Sequence, residues 1–192
     1  MNIFSIVLFL HLAGALALFI AYGIEWTASS LFRNANSIEQ LRAWLRVFKV
    51  SPPLSGIGLG VVLLSGGYLA SLTGAMKQGW IPATLLAIFL ALAVGFAMIL
   101  PRMKRIRAAL PAGATDPTGS VPLPAPLRAQ LSDPVLLTAI RVRFLIASGI
   151  VYLMAAKMPF VPSLITLVIA IAIGFLLSIS TWSRPQTAPT TS

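Results

Sequence analysis

Five stretches of this chain are each long and apolar enough to cross a lipid bilayer, and this limits the fold more than any motif does. A hydrocarbon core takes about 20 apolar residues of helix to cross. Lipid offers no partner to backbone N–H and C=O groups, so these stretches must close their hydrogen bonds internally, as helices. The spans are read as residues 3–24, 54–73, 81–100, 135–156 and 163–182. The expected fold is all-α: an integral membrane helical bundle of five transmembrane helices. It forms a single transmembrane domain over residues 1–183, with a disordered tail at 184–192. Only 9% of residues are charged, against about 25% in a soluble domain, which excludes an ordinary soluble fold. With no cysteine and one histidine, disulfide scaffolds, cysteine-ligated metal, thiol catalysis and any site needing two histidines from one chain are excluded.

The N-terminal stretch is open to a second reading, as a signal peptide. Its flank is uncharged and its apolar run is longer than a signal peptide's, so an uncleaved helix is expected. Orientation follows from Lys and Arg. The first connection carries Arg33, Arg42, Arg46 and Lys49, and the second only Lys77. The third carries Arg102, Lys104, Arg105, Arg107 and Arg128, with Arg141 and Arg143 at its far edge. The fourth carries only Lys157, and the tail Arg184. An outside N-terminus and a cytoplasmic C-terminus put every basic residue except Lys77 and Lys157 in the cytoplasm. The net charge of +10 then marks topology and attraction to anionic inner-leaflet lipids, not nucleic acid. Trp26, Trp80 and Trp182 fall at span ends, where amphipathic rings suit the headgroup layer.

The connections carry their own signals. Ile38, Leu41, Trp44, Leu45 and Phe48 recur at helical spacing, and Ser37 with Gln40 forms a capping box. A helix over residues 37–50 is expected to lie on the inner leaflet, with a break at Pro52–Pro53. The third connection opens as a basic helix, Pro101 to Leu110. It continues as a Pro-rich cytoplasmic loop over residues 111–133, ending at Asp133 as N-cap before Pro134. Residues 158–162 form a tight turn.

Few polar residues lie within the spans. His11 falls near the bilayer midplane and shares a helix face with Ala15, Leu18, Tyr22 and Glu25. Tyr152 joins this set as a polar intramembrane stripe: His11, Tyr22, Glu25, Tyr152. His11 has two readings: a cofactor ligand or proton-relay group, or a pin bonded to a neighbouring helix. Arg141 and Arg143 either snorkel to the inner interface or pair with Glu25 or Glu39. The most specific contact expected is a buried Glu25–Arg141 pair. Lys157 reads as an interfacial anchor or as a cation for an acidic ligand group. Gly56, Gly60, Gly67 and Ser71 form a helix-packing face, used within the monomer or in a homodimer. Met154 and Met158 are one turn apart; thioethers suit Cu(I), and equally ordinary packing. No nucleophile–base–acid set and no phosphate-binding loop can be assembled, so no catalytic residue is assigned.

The segment Tyr152–Pro159, YLMAAKMP, resembles the YLMxxKP ending of an uncharacterised family of bacterial integral membrane proteins, a domain of unknown function. The resemblance extends to Leu10–His11–Leu12–Ala13–Gly14, to Gly66–Gly67–Tyr68–Leu69, to Gly79–Trp80 and to Arg141 or Arg143. Met158 departs from the family, which has proline directly after the lysine. The chain is also distantly similar to copper-resistance protein D and to the membrane-bound bacterial protoporphyrinogen oxidases. That second likeness implies haem at His11; on the haem reading the inward cations Arg141, Arg143 or Lys157 would be the other cofactor-binding residues, near the propionates. With no second histidine, haem would need another axial ligand, five-coordinate iron or a dimer. The family implies a multi-pass protein of a bacterial inner membrane.

Three functions stay open in this order. The first is an accessory or interaction protein without its own catalysis, partnered by another membrane protein or a second copy. The second is a haem-associated redox protein using His11. The third is a small copper or ion carrier using His11 and methionines.

Overall fold

The computed structural model describes residues 2–111 and 121–182. Eight α-helices are seen among them: α1 (Ile3–Arg33), α2 (Ile38–Phe48), α3 (Ser51–Leu72), α4 (Trp80–Val94), α5 (Leu100–Ala108), α6 (Ala125–Leu131), α7 (Pro134–Ala156) and α8 (Phe160–Trp182). Five helical stretches are long and apolar enough to cross a membrane, as the hydropathy pattern requires. No strand is present among the described residues, only an isolated bridge between Ser37 and Pro122. The expected tail at 184–192 lies outside them.

Local chemistry explains most helix ends. The Asn2 side chain accepts from the Phe4 N–H, and Ser37 Oγ from the Gln40 N–H. The Gln40 side chain in turn accepts from the Asn36 N–H at 2.9 Å, one residue before its place in a standard capping box. Pro52 and Pro53 sit in the first turn of α3, where a missing N–H breaks no bond. Asp133 caps α7 through the Val135 N–H at 2.8 Å and accepts from Arg102 Nε at 2.8 Å. α1 runs nine residues past the expected end at Ile24. The charge of Glu25 is compensated inside the bundle, and the helix continues past it. α4 and α5 form one rod through a π-helical turn at Gly95–Ile99. Pro101 offers no N–H to that turn, and the hydrogen-bond pattern widens there.

Two kinds of interior result. In the bundle, α7 packs against α1, α4 and α8. Its neighbours present small residues: Ala83, Ala87 and Ala91 from α4, and Ala170 from α8, are all buried. α1 and α3 meet through Gly14 and Gly58. A Cβ on Gly58 would stand 2.9 Å from the Gly14 carbonyl oxygen, and one on Gly14 3.0 Å from Val61 Cγ1. The expected packing face is therefore not the one used within the chain. No atom among the described residues outside their own helix backbone lies within 4 Å of a Cβ built on Gly56, Gly60 or Gly67. Ser71 is exposed and donates to the Tyr68 carbonyl. Gly58, Val62 and Ser65 make the mating face instead, because the crossing point with α1 selects that side of a helix apolar all round.

At the basic end, α2, α5 and α6 close over the bundle as a cap. Ile38, Leu41, Leu45 and Phe48 pack with Phe32, Met103, Ile106, Leu127, Leu131 and Leu136 in one buried cluster. The helix expected to lie on the inner leaflet thus buries its apolar face in protein. The loop expected over 111–133 is likewise corrected over its second part. The Ile38 N–H donates to the Val121 carbonyl at 3.1 Å, and α6 buries Leu127 and Leu131. Proline richness masked three leucines, Leu123, Leu127 and Leu131, at four-residue spacing.

Candidate functional site at the basic end

The polar groups of the bundle meet at one carboxylate. Glu25 is 3% exposed. Arg143 Nη1 donates to both of its oxygens at 3.1 Å, and Ser51 Oγ donates to Oε1 at 2.7 Å. Helices α1, α3 and α7 are thereby tied together. The Arg143 guanidinium lies over the Tyr22 ring, 4.3 Å from its centroid. Tyr22 and Glu25 are three residues apart on one face of α1, so the same cation reaches both. A Cβ on Gly95 would stand 3.2 Å from Arg143 Cζ, so the π-helical turn gives the guanidinium its space. Arg143 Nε is buried without a hydrogen-bond partner among the described residues. A charge pair here loses its hydration, and only good geometry and added hydrogen bonds offset that cost.

The expected Glu25–Arg141 pair is not formed; Arg143 takes its place. Residues two apart on a helix point about 200° apart, so only one of these arginines can reach Glu25. Arg141 donates from Nη1 to the Leu177 carbonyl of α8 at 2.9 Å and lies 5.8 Å from the Trp26 ring centroid. Glu39 binds neither: both its carboxylate oxygens are buried in the first turn of α2, where the helix dipole favours negative charge.

His11 is pinned to α3. Its Nδ1 lies 3.1 Å from Ser65 Oγ, and Ser65 Oγ itself donates to the Val61 carbonyl. With the hydroxyl proton on Val61, Nδ1 carries the hydrogen and donates. Gly66 makes room for the ring: a Cβ there would stand 2.9 Å from His11 Cε1. The expected stripe is broken in two places. His11 is separated from Tyr22 by about 16 Å of helix rise, along which Ala15 and Leu18 line an apolar crevice. Tyr152 is 55% exposed, on an outward face.

The four residues expected to hold haem do not converge. Arg143 is committed to Glu25 and Tyr22, and Arg141 faces α8. Lys157 is exposed and caps α7 with φ 48°, its N–H bonded to the Leu153 carbonyl. It stands about 21 Å along α7 from Arg143. A single haem ligated by His11 therefore has no cationic cradle in this arrangement. No group of three or more His, Cys, Asp or Glu able to hold a metal occurs among the described residues.

What does converge is a pocket of about 200 Å³ beside the Glu25–Arg143 pair. Its polar lining is Tyr22, Glu25, Ser55, Lys104, Arg107 and Arg143, and its walls include Leu59, Leu92 and Phe96. Tyr22, Leu59 and Leu92 also line the narrower apolar crevice, about 50 Å³, that continues toward Ala15, Ile150 and Met154. Sequence reasoning placed Tyr22, Glu25 and Arg143 but not Ser51, Ser55, Gly95, Lys104 or Arg107 in this site. The last two were legible only as topology charges; their three-residue spacing on one face of α5 was the available signal. No protein-family model matches this chain, and no curated protein or solved structure matches it.

Proposed function

We propose that this is a multi-pass protein of a bacterial inner membrane, with its basic end in the cytoplasm, that acts by binding. It serves as an accessory or interaction protein without catalysis of its own. The pocket beside Glu25 and Arg143 is where it engages its ligand or partner. The observation that carries this reading is the position of that ion pair, buried in the bundle yet walling an open pocket. Intramembrane charges are costly, and they commonly mark functional sites. A buried pair adds little net stability over well-packed apolar residues, so packing alone is a weak reason to keep one. The haem reading draws its support from His11, and the copper reading from His11 and the methionines; His11 bonds to Ser65.

Photo-crosslinking in native membranes tests the proposal. A benzophenone analogue replaces Phe96, which lines the pocket, or Phe89, which does not; both are about two-thirds exposed. A discrete adduct is expected from position 96 and not from position 89. The same adducts from both positions would overturn the binding reading.

A further inference from the structure

The two cavities differ in chemistry and adjoin each other. The wider one, at the basic end, carries Lys104 and Arg107 on exposed turns of α5. Glu25 and Arg143 neutralise each other, and neither Lys104 nor Arg107 is in a salt bridge with an acidic side chain among the described residues. The wider cavity therefore has an excess of two positive charges. The narrower crevice is lined by aliphatic and aromatic side chains and points toward the bundle middle. Tyr22, Leu59 and Leu92 belong to both linings, so one elongated molecule can lie across them. A cationic mouth at the basic end and an apolar track running into the bundle match an anionic head on a hydrocarbon tail.

We infer that this composite pocket binds one anionic glycerophospholipid of the adjacent leaflet as a specific ligand, which rests on the binding reading above. Lys104 and Arg107 meet the phosphate, with Arg143 behind them. One acyl chain follows Leu59 and Leu92 toward Met154. Basic residues near a membrane each contribute about 1 kcal/mol toward anionic lipid, and a shaped pocket adds headgroup and chain selection to that general attraction.

The test uses the full chain, delipidated in a zwitterionic detergent, with tryptophan fluorescence and thermal unfolding as readouts. Short-chain phosphatidylglycerol is titrated beside phosphatidylcholine of the same chain length and inorganic phosphate. Phosphatidylglycerol is expected to bind and raise Tm, phosphatidylcholine to bind at least about tenfold more weakly, and phosphate alone to change nothing. The double variant Lys104→Gln/Arg107→Gln is expected to weaken phosphatidylglycerol about thirty-fold, the product of two losses of about 1 kcal/mol. Arg46→Gln/Arg105→Gln, which removes equal charge from exposed positions outside the pocket, is expected to weaken it less than threefold. Equal losses in the two double variants, equal binding of phosphatidylcholine, or full competition by phosphate would overturn the lipid assignment. A position-96 photoadduct with the mass of a protein or a neutral lipid overturns it too, while leaving the binding reading intact. Absence of any position-specific adduct removes both.

Discussion

The cap and the bundle are made from one chain by opposite rules. In the cap, Leu41, Ile106, Leu127 and Leu131 are buried to 2% exposure or less, while Arg46, Lys104 and Arg105 face outward. That is the ordinary arrangement in water, where burying apolar area stabilises by about 25 cal/mol per Å². In the bundle many large apolar residues point out: Leu64 is 80% exposed and Phe89 67%. The interior holds the small residues of α4 and α8 packed around Ile146 and Leu153 of α7, together with the Glu25–Arg143 pair. Lipid is as apolar as leucine, so nothing drives leucine inward, and helices associate through close packing and polar contacts. Exposure therefore has a different energetic meaning at the two ends. Amphipathic periodicity marks contact faces in the cap and cannot mark them in the bundle.

The largest expected effect breaks the bundle at its charge pair. Glu25→Ala strands the Arg143 cation and is expected to cost about 3–5 kcal/mol, measured as unfolding in bicelles. Glu25→Gln/Arg143→Met removes both charges and is expected to recover most of that loss. A double variant no better than the single would show that the pair's partners, not its charges, hold the three helices. Next comes the cap: Leu131→Ala is expected to cost about 2–5 kcal/mol. Hydrogen exchange should rise in α2, α5 and α6 and stay unchanged in α8. Loosening of both regions together would show the cap and bundle to be one cooperative unit.

The third prediction separates the two small-residue faces of α3. Gly58→Val forces its side chain into the Gly14 carbonyl and is expected to cost about 1–3 kcal/mol. Gly60→Ala, on a face that the chain leaves uncovered, is expected to change stability by less than about 0.5 kcal/mol. A larger loss at Gly60 in the membrane than in detergent would place a partner helix on that face. The smallest effect is at His11. Its coupling to Ser65, from a double-mutant cycle of His11→Ala and Ser65→Ala, is expected near 0.6 kcal/mol, the average for interhelical hydrogen bonds in a bilayer.

Reading these elements from sequence succeeded where the information is local. The α7 start at Asp133–Pro134 depends on a few adjacent residues, and the structure has it where those residues predict; the break expected at Pro52–Pro53 falls instead at Lys49–Val50, with both prolines inside the first turn of α3. α2 shows the limit. Its apolar face was plain, but whether lipid or protein would cover it depended on Leu127 and Leu131, nearly 90 positions away. In the site, the stripe of Tyr22 and Glu25 on one face of α1 was legible. Which arginine would answer it was not, because Arg141 and Arg143 are equivalent by composition and depth and differ only in direction.

By itself, then, the sequence determined five apolar helices, their caps, and a basic end set apart from an almost neutral one. Each of these follows from hydropathy, backbone hydrogen bonding and charge counted along the chain. The tertiary structure decided the rotation of each helix about its axis. That rotation chose Gly58 over Gly60 for close approach, turned Tyr152 outward, and gave Glu25 to Arg143. The physical reason is that a helix apolar on every side has no preferred inward face in lipid, so its orientation is set only when neighbours supply the close contacts and polar partners.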